Sequence, residues 1–300
     1  MIRKPTALDI AYLIAITAIW ASVFPAIKVA VPSLGPVWIA TIRVFLGFLV
    51  LLPWTLWRGI ILPEGAGQWG LVVLLALLNA VVPFFFISYA GLHISAGMIA
   101  LLMGTGPFFA LVLSHFTTDD ERLNWLKLAS VAFGFTGVAI IVGPSAFGEG
   151  HGSLLGHAAV LAGSLCYVIS GVLIRRIRGI PPTRLSTLVL ALSSLILLPI
   201  AFTLGQPDWG SVPNSAMQAV IYLGILPTGL GYLARYHLVR TVGYSFFALG
   251  LNLIPVFGVA LGALLLGEAI TVKVIAALVL VLTGLLFARM GANVQPRTSV

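Results

Sequence analysis

The sequence predicts an all-α polytopic membrane protein, ten transmembrane helices arranged as two inverted five-helix repeats. Three observations predict it. The 300-residue chain is 60% hydrophobic and 8% charged, against about 25% charged residues in ordinary soluble domains, so it lacks the polar material to face water on every side. Its apolar residues fall in continuous runs of about 20, the length that crosses a hydrocarbon core of about 30 Å at about 1.5 Å per residue. The two halves also repeat one another in order. A soluble globule is excluded, and so is a membrane barrel, whose strands would be segments of about 10 residues with alternating polarity.

Ten spans follow in order: Leu8 to Val31, Pro36 to Trp57, Gln68 to Tyr89, Ser95 to Phe116, Leu123 to Val142, His151 to Ile174, Thr183 to Leu204, Ser215 to Tyr236, Val242 to Leu266 and Ile270 to Met290. The first follows Arg3-Lys4 but is too long for a signal-peptide core and has no small-residue cleavage site after it, so it stays in the membrane. Helix-ending residues separate the spans: Pro32-Ser33-Leu34-Gly35 after the first, Pro63-Glu64-Gly65 after the second and Gly205-Gln206-Pro207 after the seventh.

Positive residues are retained on the cytoplasmic side of a membrane. One side collects Arg3, Lys4, Arg58, Arg122, Lys127, Arg175, Arg176, Arg178, Arg184, Arg235, Arg240, Arg289 and Arg297, and the other only Lys28 and Lys273, with Arg43 inside the second span. Both termini are therefore expected in the cytoplasm, which requires an even number of spans. The net charge of +8 is assigned to this topology rather than to nucleic acid. Cys166, the single cysteine, leaves no internal disulfide or zinc cluster and is expected as a small core residue.

The halves match at a shift of about 146 residues. Leu49-Val50-Leu51-Leu52-Pro53 corresponds to Leu195-Ile196-Leu197-Leu198-Pro199, Ala90 and His93 to Ala234 and His237, Pro107 with Asp120 to Pro255 with Glu268, and Thr136-Gly137 to Thr283-Gly284. The expected repeats are residues 1–144 and 145–300. Five spans per copy is an odd number, so the second copy enters from the opposite face, the arrangement from which many secondary transporters build a midplane site with alternating access.

Trp20-Ala-Ser-Val-Phe24-Pro-Ala-Ile-Lys28, Tyr89-Ala-Gly-Leu-His-Ile-Ser-Ala-Gly97 leading into Ala100-Leu-Leu-Met-Gly-Thr-Gly-Pro107, and Ile254-Pro-Val-Phe-Gly-Val-Ala-Leu-Gly-Ala-Leu-Leu-Leu-Gly-Glu268 resemble the EamA family of the drug/metabolite transporter superfamily. The resemblance covers nearly the whole chain. Thr117-Thr118-Asp119-Asp120 departs from it, standing where the family usually has Gly-Glu. Within the superfamily the chain is similar to bacterial amino-acid exporters, including those for aromatic amino acids. That resemblance implies a multi-pass inner-membrane protein that exports small molecules. It also places spans one, three, four, six, eight and nine around a central cavity.

Charges inside a span are costly and are functional candidates by default. Lys28 and Arg43 have two readings: they snorkel or neutralise helix carbonyl ends, or one attracts a substrate carboxylate. Asp120 and Glu268 end spans four and nine and are expected to cap the helices that follow them rather than to relay protons. His93, His115, His157 and His237 lie at span ends, where hydrogen bonding at the interface is the expected role.

Trp20 and Phe24 share a helix face with Thr17 and Lys28, and the equivalent second-half helix offers Ser164, Tyr167 and Gly171. With Asn79, Tyr89, Met98, Met103, Tyr222, Tyr232 and Asn252 they are the expected cavity lining. Such a stripe is also what a helix core looks like. Amides are costly in hydrocarbon, so Asn79 and Asn252 are expected to face a cavity or a partner helix. Pro25, Pro83, Pro107, Pro227 and Pro255 fall inside spans and are expected as bends or hinges. Gly258 and Gly262, matched by Ala110 and Ser114, form small faces for close packing.

The expected function is export of amino acids and related metabolites by alternating access, by facilitated diffusion, since no carboxylate lies deep in a span. The alternatives are a proton-coupled drug exporter, a phosphorylated-metabolite exporter, which would need more converging cations than Lys28 and Arg43, and a membrane-embedded enzyme. No HExxH, phosphate loop or Ser-His constellation occurs within a span, and no cofactor or metal is expected. The expected partners are a small-molecule substrate and the lipid bilayer.

Overall fold

The computed structural model describes residues 3–117, 124–147 and 151–293, and every regular element among them is helical. Nine helical stretches in that set are long and apolar enough to cross a membrane. The protein is therefore a multi-pass membrane protein. The first stretch, Ala7–Arg58, runs 52 residues and divides into α1 (Ala7–Ala21) and α2 (Val23–Arg58). A second break falls within α2 at Gly35, where φ is 72° and ψ is 160°, a backbone that only glycine adopts without strain.

The remaining elements are α3 (Gly65–Ala76), a π-helical turn (Leu77–Val81), α4 (Val82–His93), α5 (Ala96–Met103), α6 (Gly106–Thr117), α7 (Trp125–Phe147), α8 (His151–Ile174), α9 (Pro182–Thr203), α10 (Asn214–Leu223), a second π-helical segment (Gly224–Leu230), α11 (Gly231–Val242), α12 (Tyr244–Leu251), α13 (Ile254–Leu266) and α14 (Val272–Asn293). Four apolar stretches are thus broken in their middle: α3–α4 and α10–α11 by π-helical backbone, α5–α6 and α12–α13 by two non-helical residues each.

Those breaks correct the expected role of the prolines. Pro227 alone of the five lies inside a helical segment. Pro25 sits in the first turn of α2, and Pro83, Pro107 and Pro255 open α4, α6 and α13. Proline's fixed φ and missing N–H cost nothing in a first turn, so the chain breaks ahead of each proline instead of bending at it. At Pro227 the backbone is π-helical, and the Thr228 hydroxyl donates to the Leu223 carbonyl at 2.7 Å.

Helices pack in pairs: α2 along α9, α5 along α13, α7 along α14, and α4 along α8. Small residues set the closest approaches. A Cβ on Gly258 would overlap that of Ala100, and one on Gly229 would lie 2.6 Å from Val50 Cβ. The small face of α13 is therefore used inside the bundle, against α5. The largest apolar cluster brings Ile27, Val31 and Leu34 of α2 against Ile94, Ala96 and Ile99 at the α4–α5 junction and Val220 and Leu223 of α10.

Candidate functional site

A cavity of about 430 Å³ lies between α3, the first π-helical turn, the C-terminal end of α8, the start of α9, and α11. Its walls are Leu75, Ile174, Leu185, Val189 and Val239, with Thr183 and Ser186 adding hydroxyls. Ile174 ends α8 and Pro182 begins α9, so the cavity opens toward the connector that carries Arg175, Arg176 and Arg178. The ends of α4 and α5 that close the opposite face contain none of its lining. Arg235 and Arg240 line it on α11, and no acidic residue does. A low-dielectric cleft lined by one sign of charge concentrates the opposite charge.

Asn79 and Tyr232 are the two expected cavity residues that the structure places on its wall. The Tyr232 hydroxyl donates to Asn79 Oδ1 at 3.0 Å, Asn79 Nδ2 donates to Ser170 Oγ at 3.0 Å, and the Ser170 hydroxyl donates to the Tyr167 carbonyl at 2.8 Å. This chain of donors satisfies an amide that would otherwise be costly in an apolar interior.

Trp20, Phe24, Tyr89, Met103, Ser164, Tyr167 and Asn252 lie elsewhere. The Trp20 indole donates to the Pro227 carbonyl at 2.9 Å and meets Phe247 edge-on at 5.5 Å. Phe24 is buried in the main core, Tyr89 rests against His93 at 4.6 Å between ring centroids, and Met103 packs on the same core. Ser164 is buried with no hydrogen-bond partner for its hydroxyl. Tyr167 packs against two core clusters, and Asn252 occupies the break between α12 and α13. For Trp20, Phe24, Met103 and Tyr167 the physical reason is common: the helix face that carries them meets another helix, the alternative that the same stripe allowed.

The two intramembrane cations are held differently. Lys28 Nζ donates to the carbonyls of Gly91 at 2.9 Å and Ile94 at 2.8 Å, the C-terminal end of α4. Arg43 is 7% exposed. Its Nε donates to Thr228 Oγ1 at 2.8 Å and its guanidinium lies 3.8 Å from the centre of the Phe84 ring. Among the described residues the one ion pair joins Arg3 and Asp9, so Arg43 is a buried cation without a carboxylate. Glu268 departs from expectation. It holds the first amides of α5, Ala96 N at 2.6 Å and Gly97 N at 2.9 Å, and not those of the helix that follows it. The reason is the glycine pair Gly97 and Gly262, which lets α13 approach α5 closely enough for the carboxylate to reach. Asp120, its expected counterpart, lies outside the described residues.

Sequence reasoning missed the share of α9 and of the far end of α11. Tyr232, Arg235, Tyr236, Val239 and Arg240 line the cavity at spacings of three and four, one helix face. That signal was present, but the arginines were counted only for topology.

Apolar membrane helices broken at mid-depth, around a pocket with a half-buried polar pair and a cationic rim, are the architecture from which secondary transporters are built. The comparisons agree: the pattern of the EamA-like transporter family matches residues 8–143 and again residues 154–290. The chain belongs to that family. It is 23% identical over 274 residues to the uncharacterized transporter YoaV of Bacillus subtilis, covering 91% of this chain and 94% of that one. It is 26% identical over 304 residues to a protein of Salmonella typhimurium named as a probable amino-acid metabolite efflux pump, covering 93% and 94%. A solved crystal structure matches with a TM-score of 0.66 at 22% identity, over 95% of this chain and 99% of its own, a likeness of fold.

Proposed function

We propose that the protein exports amino acids and related metabolites across the bacterial inner membrane by alternating access, as a facilitator. The observation that carries this reading is the cavity itself. Apolar walls take an apolar side chain, the Asn79–Tyr232 pair offers donors and acceptors to a polar backbone, and Arg235 and Arg240 draw in a carboxylate without a competing acid on the lining. Arg43, beyond that pair and lacking an anion, keeps the carboxylate-attracting role; the ammonium of Lys28 is engaged on main-chain carbonyls. The Salmonella relative's name supports the substrate class. The facilitator reading is supported by the described carboxylates, since Asp9 and Glu268 sit at helix ends and no described acidic residue lines the cavity.

The layout we assign is ten spans in two inverted repeats, residues 1–144 and 145–300, with both termini cytoplasmic. Its supports are the two family matches, the glycine break at Gly35 that divides a 52-residue stretch, and the pairings α2 with α9, α5 with α13 and α7 with α14, each of which joins equivalent spans of the two halves, though α5 and α13 are opposite halves of spans four and nine. In that frame the cavity opens to the cytoplasm and the structure is the inward-facing state.

The test is release of labelled amino acids from proteoliposomes holding the purified protein, with and without a pH gradient. Release above protein-free vesicles, insensitive to the gradient, is the expected result. Absence of release for every amino acid overturns the substrate assignment, and dependence on the gradient overturns facilitation.

A further inference from the structure

The α4–α5 junction at Ile94–Ser95 is gripped from both sides by charges that belong to other elements. Helix C-termini present unpaired carbonyls and helix N-termini unpaired amides. Lys28 of α2 takes the first set, with hydrogen bonds to Gly91 O and Ile94 O. Glu268, just past α13, takes the second, with bonds to Ala96 N and Gly97 N, while Ser95 Oγ accepts from Met98 N at 3.2 Å. The fit leaves no spare room: a Cβ on Gly262 would lie 2.5 Å from Glu268 Oε2. The junction and both charges lie on the face away from the cavity mouth, beside the largest apolar cluster.

We propose that Lys28 and Glu268 are the clasp that keeps this face shut while the cavity is open on the other, and that Arg175 is the counterpart of Lys28 that shuts the cavity mouth in the opposite state. The second half of this inference rests on the repeat reading. Aligning Trp20-Ala-Ser-Val-Phe24-Pro-Ala-Ile-Lys28 with Tyr167-Val-Ile-Ser-Gly171-Val-Leu-Ile-Arg175 puts Ile27-Lys28 on Ile174-Arg175. The same correspondence pairs α4 with α11. Lys28 grips the end of α4. Arg175 stands exposed one residue beyond Ile174 on the cavity rim, across from Val239 and Arg240 near the end of α11, and makes no side-chain hydrogen bond among the described residues. Closing the mouth carries its guanidinium onto the last carbonyls of α11, which end at Val242 and are followed by Gly243 with φ of 93°. A cation engaged at one face and a matching cation idle at the open face are what an exchange of clasps requires.

Two reporter cysteines in a Cys166→Ala background test this in nanodiscs: Ser186→Cys on the cavity wall and Ala90→Cys, buried in the sealed cluster. The rate of maleimide labelling reads the opening of each face. Lys28→Met and Glu268→Gln are expected to speed labelling at Ala90→Cys and slow it at Ser186→Cys by about tenfold, the scale set by losing charge-assisted hydrogen bonds. Arg175→Met is expected to hold Ser186→Cys at full labelling and to abolish the protection that saturating substrate gives it. Lys28→Arg, which keeps the charge, is expected to behave as the parent. Parallel rises at both reporters show a loosened bundle and overturn the clasp; unchanged protection in Arg175→Met overturns the exchange. The clasp is read from basal labelling rates, which depend on no assignment of substrate, so its failure is separable from failure of the amino-acid reading; the exchange is read with an amino acid that proteoliposomes have been shown to release, and rests on that reading.

Discussion

The Tyr232 hydroxyl donates a 3.0 Å hydrogen bond to Asn79 Oδ1 across the inner wall of the cavity. It ties the first π-helical turn to α11, two residues past the end of the second π-helical segment. Two broken spans, joined by residues 153 apart in sequence, therefore meet through their side chains on the cavity wall. Tyr232→Phe removes the donor and leaves the amide oxygen unpaired. Initial efflux from proteoliposomes is expected to fall about fivefold, the equivalent of roughly 1 kcal/mol for one neutral hydrogen bond.

Arg43 spends Nε on Thr228 and its flat face on Phe84, and the Thr228 hydroxyl in turn donates to the Leu223 carbonyl. Arg43→Met preserves the length of the apolar stem and removes the charge. Counterflow of a carboxylated amino acid is expected to fall by about tenfold or more, with the corresponding primary amine affected far less. Arg43→Lys is expected to restore little, because an ammonium cannot keep the planar stack and the directed Nε bond together. Equal losses for acid and amine would assign Arg43 to structure alone.

Trp20 contributes to the stability of the bundle. Its indole N–H satisfies the Pro227 carbonyl inside the second π-helical segment, and Gly231 leaves it room, a Cβ there lying 2.7 Å from the indole nitrogen. Trp20→Phe leaves that carbonyl unpaired. The expected cost is about 1–3 kcal/mol, read as a lower Tm of the detergent-solubilised protein, while Trp57→Phe, 71% exposed, leaves Tm unchanged.

What the sequence made legible was set by local physics. Helices had to form wherever twenty apolar residues ran together, because no water is available to unpaired backbone groups. Gly35 was visible as a break because Pro32, Ser33 and Pro36 surround it. The Asn79 amide was legible as a group needing partners, which Tyr232 and Ser170 supply at the cavity wall. Side-chain partners across the bundle were not legible. Glu268 followed the rule that an acid seeks helix amides, yet which helix it reaches depends on the glycine contact between α13 and α5, and spacing along one chain carries no information on that. Trp20 and Phe24 are not among the lining of this cavity for a related cause. An aromatic stripe is the same pattern whether it meets a solute or another helix.

The α5–α13 contact offers the sharpest check on that packing. A Cβ at Gly258 falls on that of Ala100, with Phe24 Cδ2 at 3.5 Å, so Gly258→Val forces apart two helices that carry both the Glu268 grip and part of the main core. Overpacking of this kind costs about 1–3 kcal/mol, and Tm is expected to fall accordingly. Shrinking the opposing residue relieves the overlap: Ala100→Gly is itself expected to be mildly destabilising, yet in combination with Gly258→Val it should recover part of the lost Tm. Contacting residues are where additivity fails. Gly143→Ala, with nothing within 4 Å of its added Cβ, is the matched control and should leave Tm unmoved. A double variant no more stable than the additive sum would show that α5 and α13 do not meet at this pair, and the reach of Glu268 to α5 would go with it.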